Sequence, residues 1–437
     1  MNCQTAVRRI VFVIAFCIGL TAWAGLKAQT QGNARELRAG IARIDITPDL
    51  PVSLPGYDEK RGLSKGIHDR LFVRALVFEN GGKRLVLIST DLIGFYYEAF
   101  ESFQKSLLTE FNLKPEELFL CAIHAHSSPG PNLNKSRGHP NDLTYTETLR
   151  PKLIEVVRNA FKNVGPVRMG VGLGSSMVGA NRRVLKPDGS TRLGTGSLRR
   201  NPYGVTDKDV LVLKLARPDG ASIGALFDFA CHATALGERN LQVSGDILGI
   251  AEQFVEKILG GGVVAPVFVG ASGDVNPWYK ELPSFNTEPG WMPEPELMGT
   301  LLGEEVVHVY REIGALQPGG DIKTSFAAIK VPGQKRREET TVQDRTINLT
   351  AARVGDVAFL GASVEMLTEV GFAIKAGSPF KRTFLITHCN GGSGYLPPEH
   401  LYREGGYEIW STPFAPQAAD IVVKQALGML YKLQSEP

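Results

Sequence analysis

Residues 118–131 read LFLCAIHAHSSPGP, and the fold turns on how this stretch is parsed. Leu118–Ile123 is a run of apolar residues too short for a helix and of strand length. It breaks into His124-Ala125-His126 and then a Ser/Pro/Gly turn, so two imidazoles emerge at a strand end. On extended backbone, residues i and i+2 face the same side, so both rings can share one site. An isolated H-x-H is also compatible with a plain polar loop. FACHATALG (229–237) repeats the layout: a long apolar run from Ile223, then His232, then small residues. An imidazole set at the end of a buried strand is costly unless it is hydrogen-bonded or bound to a metal. Cys121 and Cys231 lie close to these histidines in sequence. Buried packing and metal ligation are both open to them.

Outward from these two stretches, strand-like runs fall at Leu71–Phe78, Arg84–Ser89, Val210–Leu215, Val263–Val269, Phe326–Val331, Ile347–Ala352, Val357–Leu360 and Thr383–Thr387. Helical patterns fall near Tyr97–Glu110, Leu149–Val164, Pro295–Ile313, Glu365–Lys375 and Pro416–Leu433. In Ile247–Leu259, Ile250, Phe254 and Ile258 recur at i, i+4 and i+8, with Asp246 placed to cap the start. Interspersed strands and helices predict an α/β (mixed α+β) body, mixed β-sheets flanked by helices, in one large domain over 31–437.

Residues 1–30 read as a signal peptide. Arg8 and Arg9 precede an apolar run from Ile10 to Trp23, and small residues near Ala22–Ala24 and Ala28 offer cleavage sites. The run is short for a bilayer span, so export to a secreted or periplasmic location is expected. Arg8, Arg9 and Lys27 also account for the net charge of +3, leaving 45 basic against 45 acidic residues elsewhere. A neutral body without basic runs offers nucleic acid little counterion-release affinity. The expected partner is a small-molecule or lipid substrate, with peripheral membrane contact allowed. Cys3 and Cys17 leave with the signal. Three remaining thiols cannot all pair, so no disulfide framework is expected.

Other polar groups cluster at strand ends. GDVNP (273–277) places Asp274 and Asn276 after an apolar run, and an Asx turn before Pro277 explains them equally. Glu365, in GASVEML (361–367), stands at the junction of an apolar run and a helix, where a first-turn acid is favoured by the helix dipole. NGGSGYLPPEHLYREGGYE (390–408) seats Tyr395 and Tyr407 among glycines.

The order and spacing of these segments are more specific than any one of them. AGIARIDITPDLPVSLPGY (39–57), GIHDRLFVRALVF (66–78), LISTDL (87–92), AIHAHSSPGP (122–131), GANRRV (179–184), FACHATALG, GDVNP, Glu365 and the GY…YE pair follow one another from about Ala39 to the C-terminus. The chain thereby resembles the catalytic domain of neutral (alkaline, non-lysosomal) ceramidases. The resemblance implies Zn2+ on His124, His232, Glu365 and Tyr395. It implies His126 as a proton shuttle or carbonyl polariser, and Arg182 and Tyr407 as groups that bind the oxyanion. Ligation by the cysteines then becomes unnecessary. The family carries a serine where this chain has Asn276, and an amide cannot act as that nucleophile. Ser272, four residues earlier, is off the spacing. Asn276 keeps a hydrogen-bonding role toward substrate. The family's C-terminal immunoglobulin-like domain is expected to be absent.

The implied activity is zinc-dependent hydrolysis of an N-acylsphingosine amide by an activated water. Two alternatives stand beside it. The same site could act on another small ester, amide or glycosidic substrate, or the chain could be a non-catalytic secreted binding protein. Trp278, Tyr279, Phe285 and Trp291 could line an acyl channel, stack on sugars or simply pack their Pro-rich loop.

Overall fold

Period-two alternation of apolar residues sorts most of the strands into three mixed sheets. The computed structural model describes residues 36–57, 62–136, 138–186, 200–278, 294–335 and 341–435. The first sheet runs Leu118–Ala122, Lys83–Thr90, Phe72–Asn80, Arg38–Asp45, Gly165–Pro166; the second runs Val267–Val269, Ser222–Phe229, Asp209–Ala216, Arg168–Ser175. The third runs Ile322–Val331, Arg345–Val354, Val357–Ala362, Arg382–Ile386. Neighbours are antiparallel except for one parallel pair per sheet. These are Lys83–Thr90 with Leu118–Ala122, Ser222–Phe229 with Val267–Val269, and Val357–Ala362 with Arg382–Ile386.

Each sheet buries both faces. In the first, Val73, Ala75, Val77, Val86, Ile88, Leu118 and Leu120 face helices Tyr97–Phe111 and Pro140–Lys162. The alternate residues Leu76, Phe78, Leu85, Leu87, Phe119 and Cys121 face a shared central core. The second sheet divides in the same way. Val210, Val212, Phe227 and Val267 pack with helices Asp246–Leu259 and Glu294–Glu312, while Leu211, Leu213, Leu226 and Phe268 turn to the centre. In the third, Ile347, Leu349, Ala358 and Leu360 meet helices Thr368–Gly377 and Ala418–Ser435, while Phe359, Phe384 and Ile386 turn inward. Three sheets, each backed by two helices, thus share one interior. The mixed α/β expectation holds, and Leu37–Pro437 clusters as one unit.

The expected strands all appear, with Val263–Val269 reduced to Val267–Val269. The eight-residue strand Arg168–Ser175 was not foreseen, because RMGVGLGS carries glycine at every second position. A Cβ at Gly172 or Gly174 would come within 2.6 Å of helix Glu294–Glu312, so the helix lies directly on the backbone there. Helix Asp246–Leu259 corrects the sequence reading. Its buried face is Ile247, Leu248, Ala251, Glu252 and Val255, whereas Ile258 is exposed and Ile250 and Phe254 press on Gly299 and Gly303 of the neighbouring helix. Asp246 is the helix's first residue rather than its cap, and its carboxylate accepts from the amides of Ala235, Leu236 and Ile247. Helix Pro140–Lys162 begins nine residues before its expected start, with His139 accepting from the Asn141 amide. The signal reading of 1–30 and the aromatics Tyr279, Phe285 and Trp291 lie outside the described residues. Among those residues no helix is long and apolar enough to cross a membrane.

Candidate metal centre

The strands of the three parallel pairs supply the site. His124 and His126 follow Leu118–Ala122, His232 follows Ser222–Phe229, and Asn276 follows Val267–Val269. Glu365 follows Val357–Ala362, and His388 and Tyr395 follow Arg382–Ile386. In open α/β sheets the carboxyl ends of parallel strands form the natural crevice. Here three such edges converge on one. The parallel bridge Ala125–Ala233 and the Thr387 amide on the Val269 carbonyl (2.8 Å) bind the sheets together there, and the Glu365–Tyr395 pairing joins the two segments leaving the third sheet. His124 and His388 both turn off their strands with left-handed backbone, φ 58° and 50°. Such conformations are unfavourable for a branched-off ring and persist where packing dictates them.

Hydrogen bonds fix which ring nitrogens are bare. His124 Nδ1 lies 2.7 Å from the Ile93 carbonyl, and His232 Nδ1 lies 2.7 Å from that of Ser272. A carbonyl only accepts, so both Nδ1 atoms carry a proton, and in the neutral tautomer each Nε2 presents a lone pair. Those lone pairs converge on one carboxylate oxygen: Glu365 Oε2 is 3.5 Å from His124 Nε2 and 3.4 Å from His232 Nε2. Neither Glu365 Oε2 nor His232 Nε2 has a hydrogen-bond partner. Burial, then the Arg182 charge, hold the His232 pKa down to about 4, so its ring is neutral. Burial would raise the Glu365 carboxyl, but the His124 and His232 imidazoles beside it hold it well below the usual range. In the Nδ1–H tautomers, the two Nε2 lone pairs and the Glu365 carboxylate are three electron-pair donors that face each other.

A cation resolves that repulsion. Ligands about 2.0–2.1 Å from a tetrahedral ion stand roughly 3.3–3.4 Å apart, close to the separations here. Anchoring Nδ1–H on a backbone carbonyl while Nε2 is presented is also how metal-binding histidines are held. The donor set fits zinc. His124, His126 and His232, and separately His124, Glu365 and His388, are the groups whose ligand atoms lie within 4.8 Å among the described residues.

Behind this cluster stands a guanidinium layer. Arg182 is buried and donates Nε to Glu408 (2.8 Å), Nη1 to Asn276 Oδ1 (3.0 Å) and Nη2 to the Tyr395 hydroxyl (3.2 Å). Its charge sits 5.5 and 5.7 Å from the Tyr395 and Tyr407 ring centroids. Burial and the Glu365 charge push the Tyr395 hydroxyl well above the usual range, and the Arg182 charge works against them. Arg182 is thus aimed at Tyr395, and Asn276 at Arg182. Ser272 turns its carbonyl, not its hydroxyl, to His232.

In front lies a cleft of about 480 Å³, walled by Tyr96, Tyr97, Asn132 and Leu133 and floored by His124, His126, Glu365, Tyr395 and Tyr407. His126 Nε2 is 3.2 Å from His124 Nε2, and burial with the two neighbouring imidazoles holds its pKa well below 6.5. The two Nε2 atoms thus lie close enough to share one proton or to face one ion. Gly56, at φ 110°, explains the Pro-Gly-Tyr turn: a Cβ there would lie 2.5 Å from His126 Nδ1. Tyr57 meets the same ring edge-on at 5.0 Å.

All eight residues singled out from sequence belong to this neighbourhood, in two layers. Two further residues were missed. The His388 ring stacks on His124 (centroids 3.9 Å, 16° between planes), and its Nε2 is buried without a partner. Its signal was present, since FLITHC repeats the pattern of apolar run then histidine. Glu408 holds Arg182 and, at 2.8 Å, Arg183. As one more acid in a polar segment it carried no signal of its own. His68, His139, His308 and His400 are not in the cluster.

Comparison with known proteins gives the family and the fold. The family model described as neutral/alkaline non-lysosomal ceramidase, N-terminal, matches residues 37–279. Neutral ceramidase 1 of Arabidopsis thaliana is 27% identical over 235 residues, covering 51% of this chain and 29% of its own length. Neutral ceramidase of Mycobacterium tuberculosis (strain ATCC 25618 / H37Rv) is 26% identical over 262 residues, 55% of this chain and 39% of its own. This chain therefore spans well under half the length of these relatives. The crystal structure of neutral ceramidase from Pseudomonas aeruginosa superposes with a TM-score of 0.75 at 20% identity, over 92% of this chain and 75% of that one. The fold is shared.

Proposed function

We propose a reaction from one premise: this chain belongs to the neutral/alkaline non-lysosomal ceramidase family. The reaction is hydrolysis of an amide, with N-acylsphingosine (ceramide) as substrate class and zinc held by His124, His232, Glu365 and Tyr395. The observation that carries it is the convergence of His124 Nε2 and His232 Nε2 on Glu365 Oε2, at 3.5 and 3.4 Å, with neither His232 Nε2 nor Glu365 Oε2 hydrogen-bonded. Bound there, zinc supplies a Lewis acid that polarises an amide carbonyl and makes water nucleophilic near neutral pH.

The chain's own groups do the rest. His124 and His232 are fixed by their Nδ1 bonds, so their Nε2 atoms stay aimed at the site. Arg182, held by Glu408, keeps positive charge beside the Tyr395 oxygen and favours its ionised form. His126 retains one ring proton at the cleft floor and delivers it toward the departing amine. Tyr407, on the floor, offers its hydroxyl to the oxyanion that develops at the carbonyl. Asn276, bound to Arg182, supports that layer and forms no acyl intermediate. Residues 1–30 are a cleaved export signal in this reading, which places the enzyme in a secreted or periplasmic location.

Two measurements on one preparation test it. Elemental analysis of protein purified without added metal is expected to find about one zinc per chain. A panel of acylated sphingoid bases, aryl esters, N-acyl amino acids and oligosaccharides is expected to show fastest turnover on the first. Full turnover without zinc would remove the metal from the reading. Zinc with preference for another panel member would replace the substrate.

A further inference from the structure

We propose that Cys121 and Cys389 close to a disulfide that ties together the two strand ends carrying His124 and His388. Cys121 lies in the strand Leu118–Ala122, and Cys389 stands directly opposite it in an antiparallel bridge between the first and third sheets. The flanking bonds define the pair. The Ala122 amide donates to the His388 carbonyl (3.3 Å) and the Asn390 amide to the Leu120 carbonyl (2.9 Å). The cysteines therefore occupy a position without mutual backbone bonds, where Cα atoms approach to about 4.5 Å and side chains lie closest. That separation falls within the range a disulfide bridges.

The side chains agree with the backbone. The two thiols interact by a side-chain hydrogen bond and both are buried in the central core. A Cβ at Gly361 would lie 2.5 Å from Cys389 Sγ, so that sulfur packs against bare backbone. The third described thiol sorts elsewhere: Cys231 Sγ donates to the His232 carbonyl at 3.4 Å. Three thiols thus divide into one facing pair and one single. Spacing alone did not reveal this, because Cys121 and Cys389 come from different sheets.

The chemistry balances by exchange with a small-molecule disulfide. Each thiol loses its hydrogen, one S–S bond forms, and two electrons and two protons pass to the partner disulfide, which splits into two thiols. Burial raises the Cys121 thiol well above its ordinary pKa, which disfavours the attacking thiolate once the core is closed. Closure then belongs to folding, before the core is sealed. Its product spans a long loop and fastens the segments on which the stacked His124 and His388 rings sit.

The full chain, unfolded with reductant and refolded in a glutathione redox buffer, is blocked with N-ethylmaleimide under denaturing conditions and mapped by peptide mass spectrometry. Protein made in an oxidising host and never unfolded is mapped in parallel. The expected result in either sample is a Cys121–Cys389 cross-linked peptide with Cys231 alkylated. Reduction is expected to lower Tm by about 3 °C or more. The Cys121→Ala/Cys389→Ala double variant is expected to show no such response to reductant. Alkylation of both cysteines in both samples, or pairing of either with Cys231, overturns the proposal. Neither outcome touches the metal or substrate reading, which rests on other residues.

Discussion

Two buried polar clusters in this protein invite comparison, because one is complete and the other is not. Arg74, fully buried in the strand Phe72–Asn80, donates to Asp91 (3.1 Å), Glu252 (2.6 Å) and Glu256 (2.8 Å), and Glu256 also pairs with Arg43. Two cations stand against three carboxyls, and burial pushes both Asp91 and Glu252 up while they hydrogen-bond each other. One shared proton makes the cluster neutral. The second cluster gathers His124 and His232 around one Glu365 carboxylate oxygen. The completed cluster needs nothing from outside and reads as structure. The incomplete one leaves Glu365 Oε2 and His232 Nε2 unsatisfied and, on the proposed reading, is completed by a cation; that separates a site from a staple.

Removing a ligand should therefore be felt as lost chemistry. For His232→Ala we expect metal content near zero and kcat lower by about 10⁴-fold or more, the largest effect in this set. Circular dichroism should show the fold retained, since the strand Ser222–Phe229 keeps its core packing. An alanine variant that holds zinc and turns over normally would end the distinction between the clusters. Removing Arg74 should be felt as lost stability instead. Arg74→Met leaves three buried carboxyls with one cation, Arg43, which pairs with Glu256, and breaking such a network costs about 3–5 kcal/mol. Urea denaturation should show that loss, while metal per folded molecule stays at the wild-type level.

The two clusters also differ in how far the sequence discloses them. Each metal-site histidine ends an apolar run, so burial and polarity collide within a few residues and the collision is visible. Glu365 and Tyr395 were placed by resemblance, since an acid before a helix and a tyrosine among glycines have ordinary explanations. Arg74 interrupts FVRALVF at a position that looks solvent-facing. Glu252 and Glu256 are four apart on a helix and look like an exposed acidic stripe. Only the docking of helix Asp246–Leu259 onto the first sheet turns both inward. The same docking leaves the stripe Ile250, Phe254, Ile258, which marked the helix in sequence, off its most buried face. The three-sheet plan was legible as strands and helices but not as sheets, because the parallel partners are far apart in sequence.

Asp228 is the intermediate case and gives the smallest effect. It is buried in the strand Ser222–Phe229, and Oδ2 accepts the Leu385 amide at 3.0 Å, latching the second sheet to the third. Its nearest cation, Lys375, already pairs with Asp207 (2.6 Å) and Asp209 (3.4 Å). Burial therefore raises the Asp228 pKa to about 7, with Lys375 opposing and Asp207 adding to the rise. The folded state binds this proton more tightly than the unfolded chain, whose carboxyl titrates near 3.8. The stabilisation is fully present below about 4 and is lost as pH rises through 7. Asp228→Asn keeps an acceptor for the Leu385 amide and removes the titration. Relative to wild type, the variant should gain stability between pH 4 and 8, on the order of 2 kcal/mol after allowance for relaxation around a buried acid. Denaturation curves at pH 4, 6 and 8 decide it. Parallel stability profiles for the two proteins would mean that Lys375 neutralises Asp228 as fully as the acids around Arg74 are neutralised.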